Sequence, residues 1–287
     1  MRTYFHFCSK GFKSEILYNT KEEFIAGMNR IAVCLAICLN SGRPVVILAF
    51  CLMDNHFHFI LWGEEEDCDY FAENYKKLTA MWVSNHRGEP LSEPIEVGHW
   101  HIARDKVSEK ISYVLRNPLA AGMRVSPQGY RWSSASLMFS DFQPEPRVQL
   151  SSLSTVSIKR RCSTKVSLPG NWLIVGDMVW PGSYVDFVSA EKAYRSVGSF
   201  LFELNNSNLD KETEEEMRAD SFSLPDADIR IKAVQLAIDF FRKDKISTCT
   251  PEERLKIARL LRKDLNCNSG QLARVLHLKK EDLQIMV

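Results

Sequence analysis

The chain has 287 residues, 45% of them hydrophobic and 25% charged, a composition that builds packed cores and excludes wholesale disorder. The length allows one large domain or, better, two. Net charge is +1, from 37 Lys+Arg against 36 Asp+Glu, a whole-chain balance that speaks against a protein wrapped around duplex nucleic acid.

Thr3 to Ser9 alternates aromatic and small residues and predicts a strand, followed by an irregular loop to Asn19. Thr20 starts a helix with Glu22 and Glu23 in its first turn, ending near Asn40-Ser41-Gly42. Val45 to Met53 predicts a buried strand, Asp54-Asn55 a turn, and His56 to Trp62 a second strand of a hairpin. The acidic stretch Glu64 to Asp67 opens a helix over Tyr70 to Ser84. Ile95 to Ala103 predicts a strand, and Lys106 to about Arg116 a helix that stops before Pro118. This order predicts an α+β fold, a ferredoxin-like or RRM-like antiparallel sheet with helices on one face.

From residue 141 to 225 the patterns weaken. We expect a connecting region with ordered pieces around Trp172 to Phe187 and a helix over Glu191 to Leu204. From Asp226 the chain reads as helical again, over Asp228–Lys243, Pro251–Asp264, Ser269–Leu276 and Lys279–Met286. Thr250 before Pro251 is a cap with proline at the first helical position. Short helices joined by tight turns predict an all-α, helix-turn-helix-like module. The expected division is therefore 1–140, 141–225 and 226–287.

None of the eight cysteines forms a CxxC pair, which predicts free thiols in a reducing cytoplasm. No apolar run approaches the about 18 residues of a membrane helix, and the N-terminus lacks the apolar core of a secretory signal.

The sharpest chemical feature is Asp54-Asn55-His56-Phe57-His58-Phe59. Residues i and i+2 of a strand share a face, so His56 and His58 project together while Phe57 and Phe59 face the core. Two imidazoles on one face can bind a divalent cation; the alternative is a pair of surface histidines. His99-Trp100-His101 repeats the pattern on another predicted strand, and spacing alone does not decide between the pairs. Tyr113 and Asn117 stand at i and i+4, one helix face. A metal held by His56, His58 and the Asn117 amide oxygen would place Tyr113 one turn away. A tyrosine hydroxyl, with a reference pKa of about 10, is a usable nucleophile when a cation polarises the phosphate it attacks. Taken singly, Tyr113 also reads as a core aromatic and Asn117 as a turn residue before proline.

In this order the segments MDNHFHFILW (53–62), GHWHIARD (98–105), ISYVLRNPLAAGM (111–123) and YRWSSAS (130–136) resemble the HUH single-tyrosine transposases, closest to the REP-associated tyrosine transposases of bacterial chromosomes. The resemblance spans about residues 3 to 140. It implies an HUH nuclease fold, with His56, His58 and Asn117 as ligands of Mg²⁺ or Mn²⁺ and Tyr113 as catalytic nucleophile. The nucleophile would become joined to the 5′ phosphate of cut single-stranded or hairpin DNA. It also implies that His99 and His101 are not the primary pair. His101 matches a family position and, with Arg116, is a possible accessory group. The family's Tyr-Ile-His-Leu-Asn-Pro reads Tyr-Val-Leu-Arg-Asn-Pro here, which keeps tyrosine, asparagine and proline in place.

The charge balance resolves by segment. Residues 1–140 hold 15 Lys+Arg and 15 Asp+Glu, whereas residues 226–287 hold 13 against 9. The basic surplus in the tail, with Lys159-Arg160-Arg161 upstream, reads either as solvated helix faces or as phosphate contacts. The DNA-binding candidates are Lys159, Arg160, Arg161, Arg259, Arg262, Lys263, Arg274, Lys279 and Lys280. The expected partner is DNA, single-stranded or hairpin and in the family often a palindromic repeat, with no membrane and a monomeric or homodimeric chain. Two other readings stay open: an inactive, domesticated reader of structured DNA or RNA, and a replication-initiator nickase, which the absence of a P-loop motif ranks lower.

Overall fold

The computed structural model describes residues 1–9, 16–91, 94–123, 125–141, 143, 145, 147–206, 226–265, 267, 269–279 and 283. Four strands, β1 (Thr3–Ser9), β2 (Val46–Leu52), β3 (Phe57–Gly63) and β4 (Val97–Ile102), form one antiparallel sheet in the order β2-β3-β1-β4. Helix α1 (Lys21–Asn40) joins β1 to β2, and α2 (Glu65–Arg87) joins β3 to β4. This is the split βαβ topology in which the central pair comes from two different halves of the unit.

Helix α1 begins in a capping box: Thr20 accepts from the Glu23 amide while the Glu23 carboxylate accepts from the Thr20 amide. The same carboxylate is gripped by Arg87, at the end of α2, through Nε at 2.8 Å and a terminal nitrogen at 2.9 Å. Arg87 also donates to the carbonyls of Ile16 and Leu17. One buried ion pair thus ties together the start of α1, the end of α2 and the chain that enters α1. Gly27 lets α1 approach Tyr18, since a Cβ there would lie 2.7 Å from the ring edge.

The sheet sorts its side chains by period. Phe5, Phe7, Phe57, Phe59 and Leu61 point to the first face and pack under Phe24, Met28 and Ile31 of α1 and Phe71 and Tyr75 of α2. The second face carries Leu48, Ala49, Cys51 and Ile60. A bulge between Ile47 and Ala49 in the β2-β3 ladder lets the consecutive residues Leu48 and Ala49 share this face.

Helix α3 (Val107–Leu115) covers that second face with Val107, Ile111, Val114 and Leu115. The expectation of helices on one face is therefore corrected: α1 and α2 lie on one side and α3 on the other. The physical reason stands in β2, which is apolar at every position and needs cover on both sides. The predicted helix to Arg116 ends at Leu115, and Asn117 opens a separate turn, α4 (Asn117–Ala120).

The region after residue 140 is more ordered than the sequence suggests. Helix α5 (Thr155–Cys162) and a small sheet of β5 (Val148–Gln149), β6 (Leu173–Val175) and β7 (Met178–Val179) pack beside α1. Leu150, Cys162, Trp172, Ile174 and Val179 join the first-face core. Buried Asn29 of α1 donates to the carbonyls of Arg161 and Asp177 and accepts from the Val179 amide. The single helix expected over 191–204 is two, α6 (Phe187–Glu191) and α7 (Val197–Asn206), and Phe200 and Leu204 of α7 complete the second-face core.

Helices α8 (Asp226–Phe241), α9 (Pro251–Leu265) and α10 (Ser269–Leu276) enclose a separate core that includes Ile229, Ala233, Leu261, Leu272 and Val275. The helix expected over 279–286 falls largely outside the described residues. All eight cysteines are free. Among the described residues no helix is long and apolar enough to cross a membrane.

Candidate active site

The alternation that buries phenylalanines on the first face places histidines on the second. His6 lies between Phe5 and Phe7 on β1, and His58 between Phe57 and Phe59 on β3. Their rings stack, with His6 Nε2 and His58 Nδ1 3.0 Å apart. His56, one residue before β3, turns its ring edge-on to His58 with centroids 4.9 Å apart. From above, α3 brings half-buried Tyr113, whose ring lies 5.7 Å from His6 and 5.8 Å from His58. The Lys110 ammonium, one turn earlier on α3, sits 5.3 Å from the Tyr113 ring centre.

Asn117 completes the group, and two hydrogen bonds fix which atoms meet. Its amide nitrogen donates to the Tyr113 carbonyl at 3.2 Å, which turns Oδ1 toward His56. His56 Nδ1 lies 2.8 Å from the Asn55 side-chain oxygen and donates to it, so Nε2 carries the lone pair. Nε2 and the Asn117 oxygen then face each other at 3.3 Å as two acceptors. A proton on the ring or a cation between the atoms relieves that repulsion. Burial disfavours the proton and pushes His56 down to about 4, against the pull of the Asn117 oxygen, which favours the proton, and with the nearby charge of Arg274. Burial likewise holds His6 down at about 4 and His58 well below the usual histidine range. Neutral imidazoles with an amide oxygen are a donor set that suits a divalent cation. The 3.3 Å separation is close to the edge of roughly 3 Å between adjacent ligands held at about 2.1 Å. Among the described residues no three or more His, Cys, Asp or Glu groups form a metal cluster; the fit here rests on two histidines plus an amide.

The second histidine pair is elsewhere. His99 and His101 project to the first face, edge-on to Phe5. His99 bridges Glu65 at 3.1 Å and Asp69 at 3.0 Å, both on α2, and His101 meets the Thr3 hydroxyl at 2.7 Å. They border an acidic cleft of about 830 Å³. His101 as an accessory group is thereby corrected: strand alternation puts it across the sheet from Tyr113. Arg116 is buried at the break between α3 and α4, with 6% exposure.

The basic candidates do not gather at one place. Lys159, Arg160 and Arg161 end α5, which packs on α1 and so lies on the first-face side; Arg161 pairs with Asp177. Arg259 and Lys279 are exposed, while Arg262 donates to Ser269. The side chains of Lys263 and Lys280 lie outside the described set.

Arg274 has an internal role. It pairs at 2.5 Å with Asp226, the first residue of α8, and the Asp226 amide donates at 2.6 Å to the Asp54 carboxylate. Both acids are buried. The helical module is thus fastened to the turn that carries His56.

His6 and this Asp54-Asp226-Arg274 link escaped the sequence reading. For His6 a signal existed, the Phe-His-Phe alternation shared by β1 and β3. The link joins positions 172 residues apart and has no local signature. No protein-family model, curated protein or solved structure matches this chain.

Proposed function

We propose that the chain is a metal-dependent tyrosine DNA endonuclease and strand transferase, of the kind its motifs resemble among the REP-associated transposases. The observation that carries this reading is the pair of acceptors, His56 Nε2 and Asn117 Oδ1, held 3.3 Å apart beside Tyr113. The HUH fold and the helix-turn-helix role of α8 to α10 belong to the same proposal.

In this reading the Tyr113 oxygen attacks the phosphorus of one phosphodiester of single-stranded or hairpin DNA. The phenol gives up its proton as a P–O bond to tyrosine forms, the P–O3′ bond breaks, and the 3′ oxygen takes up a proton and leaves as a hydroxyl. The 5′ phosphate stays on Tyr113 until another 3′ hydroxyl reverses the step. His56, His58 and Asn117 would hold a divalent cation of the Mg²⁺ or Mn²⁺ class, which would supply charge to polarise the phosphate. Lys110, whose ammonium lies 5.3 Å from the Tyr113 ring centre, is a candidate contact to the attacked phosphate. Asn117 is oriented by the backbone of the nucleophile itself, so ligand and nucleophile are set by one short segment. Exposed Lys159, Arg160, Arg259 and Lys279 are the candidates for contacts to flanking phosphates.

The test is a labelled single-stranded hairpin oligonucleotide incubated with the full chain and Mg²⁺ or Mn²⁺, scored for a denaturation-resistant protein–DNA adduct. The wild type gives the adduct and Tyr113→Phe gives none. An adduct that survives Tyr113→Phe removes Tyr113 from this role. Tight binding without an adduct in either metal favours the non-cleaving reader.

A further inference from the structure

We propose that Trp100 is a stacking platform for one unpaired nucleobase of the strand presented to Tyr113. This deepens the strand-transfer reading and rests on it for the identity of the strand.

Trp100 is 58% exposed, and an indole open to solvent is a flat surface on which a base can stack. It stands on β4, the edge strand of the sheet. In register it sits opposite His6, and its ring lies 5.8 Å from that imidazole. It therefore belongs to the second face, unlike its neighbours His99 and His101. The ring order Trp100, His6, Tyr113 advances in steps of 5.8 and 5.7 Å, a path that roughly three nucleotides at about 3.4 Å each cover.

Gly98 shows how the indole is seated. Two residues back on the same face, a Cβ at Gly98 would lie 3.2 Å from the far carbon of the indole and under 4 Å from two more ring carbons. The indole thus lies along the strand over a residue with no side chain. With His6 at 5.8 Å and Gly98 beneath its far end, the indole still leaves more than half of its surface to solvent. Gly98 is in register with Cys8, which in turn is in register with His58, so the ring leans toward the histidines.

Charge gives the platform a direction. The cleft across β4, which Trp100 also borders, is lined by Glu64, Glu65, Glu66 and Asp67, which repel phosphates. On the near side stands Lys110, beside Tyr113. A strand whose base stacks on Trp100 keeps its phosphates on the Lys110 side. Stacking on an aromatic ring is tolerant of base identity, so the platform selects unpaired over paired bases and not one sequence over another.

The experiment measures equilibrium binding of a single-stranded oligonucleotide carrying 2-aminopurine. It uses the full chain, with EDTA present to prevent metal-dependent cleavage, and a duplex of the same sequence as comparison. Binding to the wild type quenches the 2-aminopurine. Trp100→Ala weakens single-strand binding by roughly 5- to 100-fold and removes the quenching, Trp100→Phe retains most of both, and duplex binding is unchanged in each. Gly98→Val, which lifts the indole, weakens single-strand binding in the same direction. Trp100→Ala binding the single strand as tightly as wild type overturns the platform, as does an equal loss for duplex and single strand, or a wild type that binds no single strand. Trp100-dependent binding without any Tyr113 adduct in Mg²⁺ or Mn²⁺ leaves the platform standing and sinks strand transfer. An adduct that forms equally well in Trp100→Ala, with unchanged affinity, sinks the platform alone.

Discussion

Arg274→Ala separates two roles for one cation, a phosphate contact and an internal tie. In the folded chain Arg274 is 22% exposed and its partner Asp226 3% exposed. Asp54, bonded to the Asp226 amide, is also buried. Removing one member of a buried ion pair costs about 3–5 kcal/mol, because the other charge is left uncompensated. Partial exposure of Arg274 lowers that to roughly 2–4 kcal/mol. Burial, followed by the charge of Asp226, pushes Asp54 up to about 7, and Arg274 acts in the opposite sense. An acid raised in the folded state contributes stability that is complete below its unfolded value of about 4 and is lost as pH rises through about 7. Without Arg274 that loss deepens and extends to higher pH. Urea unfolding, with hydrogen exchange at the start of α8, is therefore expected to show a large penalty at pH 8 and a smaller one at pH 5. Arg259→Ala, at an exposed position, stays within about 0.5 kcal/mol at both. A penalty under about 1 kcal/mol at pH 8, or equal penalties at the two pH values, refutes the tie. A loss of DNA affinity with stability unchanged would return Arg274 to the phosphate contacts.

Two further changes test the packing around the first face. Burial alone would raise the Glu23 carboxyl, but the Arg87 guanidinium and the Asn19 and Thr20 amides hold it below the usual range. Its stabilisation is present above about pH 4.5 and lost as pH falls through the carboxylate range. Glu23→Gln should therefore cost about 2–4 kcal/mol at pH 7 and far less at pH 3, read from urea midpoints; a pH-independent cost would refute the assignment. Gly27→Ala adds about 1 kcal/mol of helix propensity but drives a methyl against Tyr18 and Leu52. Overpacking at about 1–3 kcal/mol makes the expected sign destabilising, and a raised thermal midpoint would show that the ring moves aside freely.

The elements bounding the site were legible in the sequence because each carries a local signal. Thr20 with Glu23 marked the start of α1, Asp54-Asn55 the hairpin turn, and Pro118 the end of the tyrosine helix. His56, His58, Tyr113 and Asn117, read as one group, do meet. The side on which α3 lies was misread, although β2 carried the information: a run apolar on both faces needs two covers, and all the helices, α3 included, were expected on one. The choice between the two histidine pairs depended on which face of β4 turns inward, and alternation within a strand fixes relative faces, not absolute ones. Arg274 looked like surface charge because its partners stand 48 and 220 positions away. Burial of a charge depends on the tertiary packing of α8 against the hairpin turn, which no local window contains.

The matched Phe-His-Phe triplets of β1 and β3 couple error-checking to assembly. A slip of one residue in either strand would turn its phenylalanines out from under α1 and α2 and force a histidine among Phe71 and Tyr75. A chain whose phenylalanines are packed under α1 and α2 has therefore also turned His6 and His58 to the same face. Misregistered chains, which would carry a broken histidine row, are the ones least able to stay folded, so quality control of the pocket comes with the energetics of the sheet.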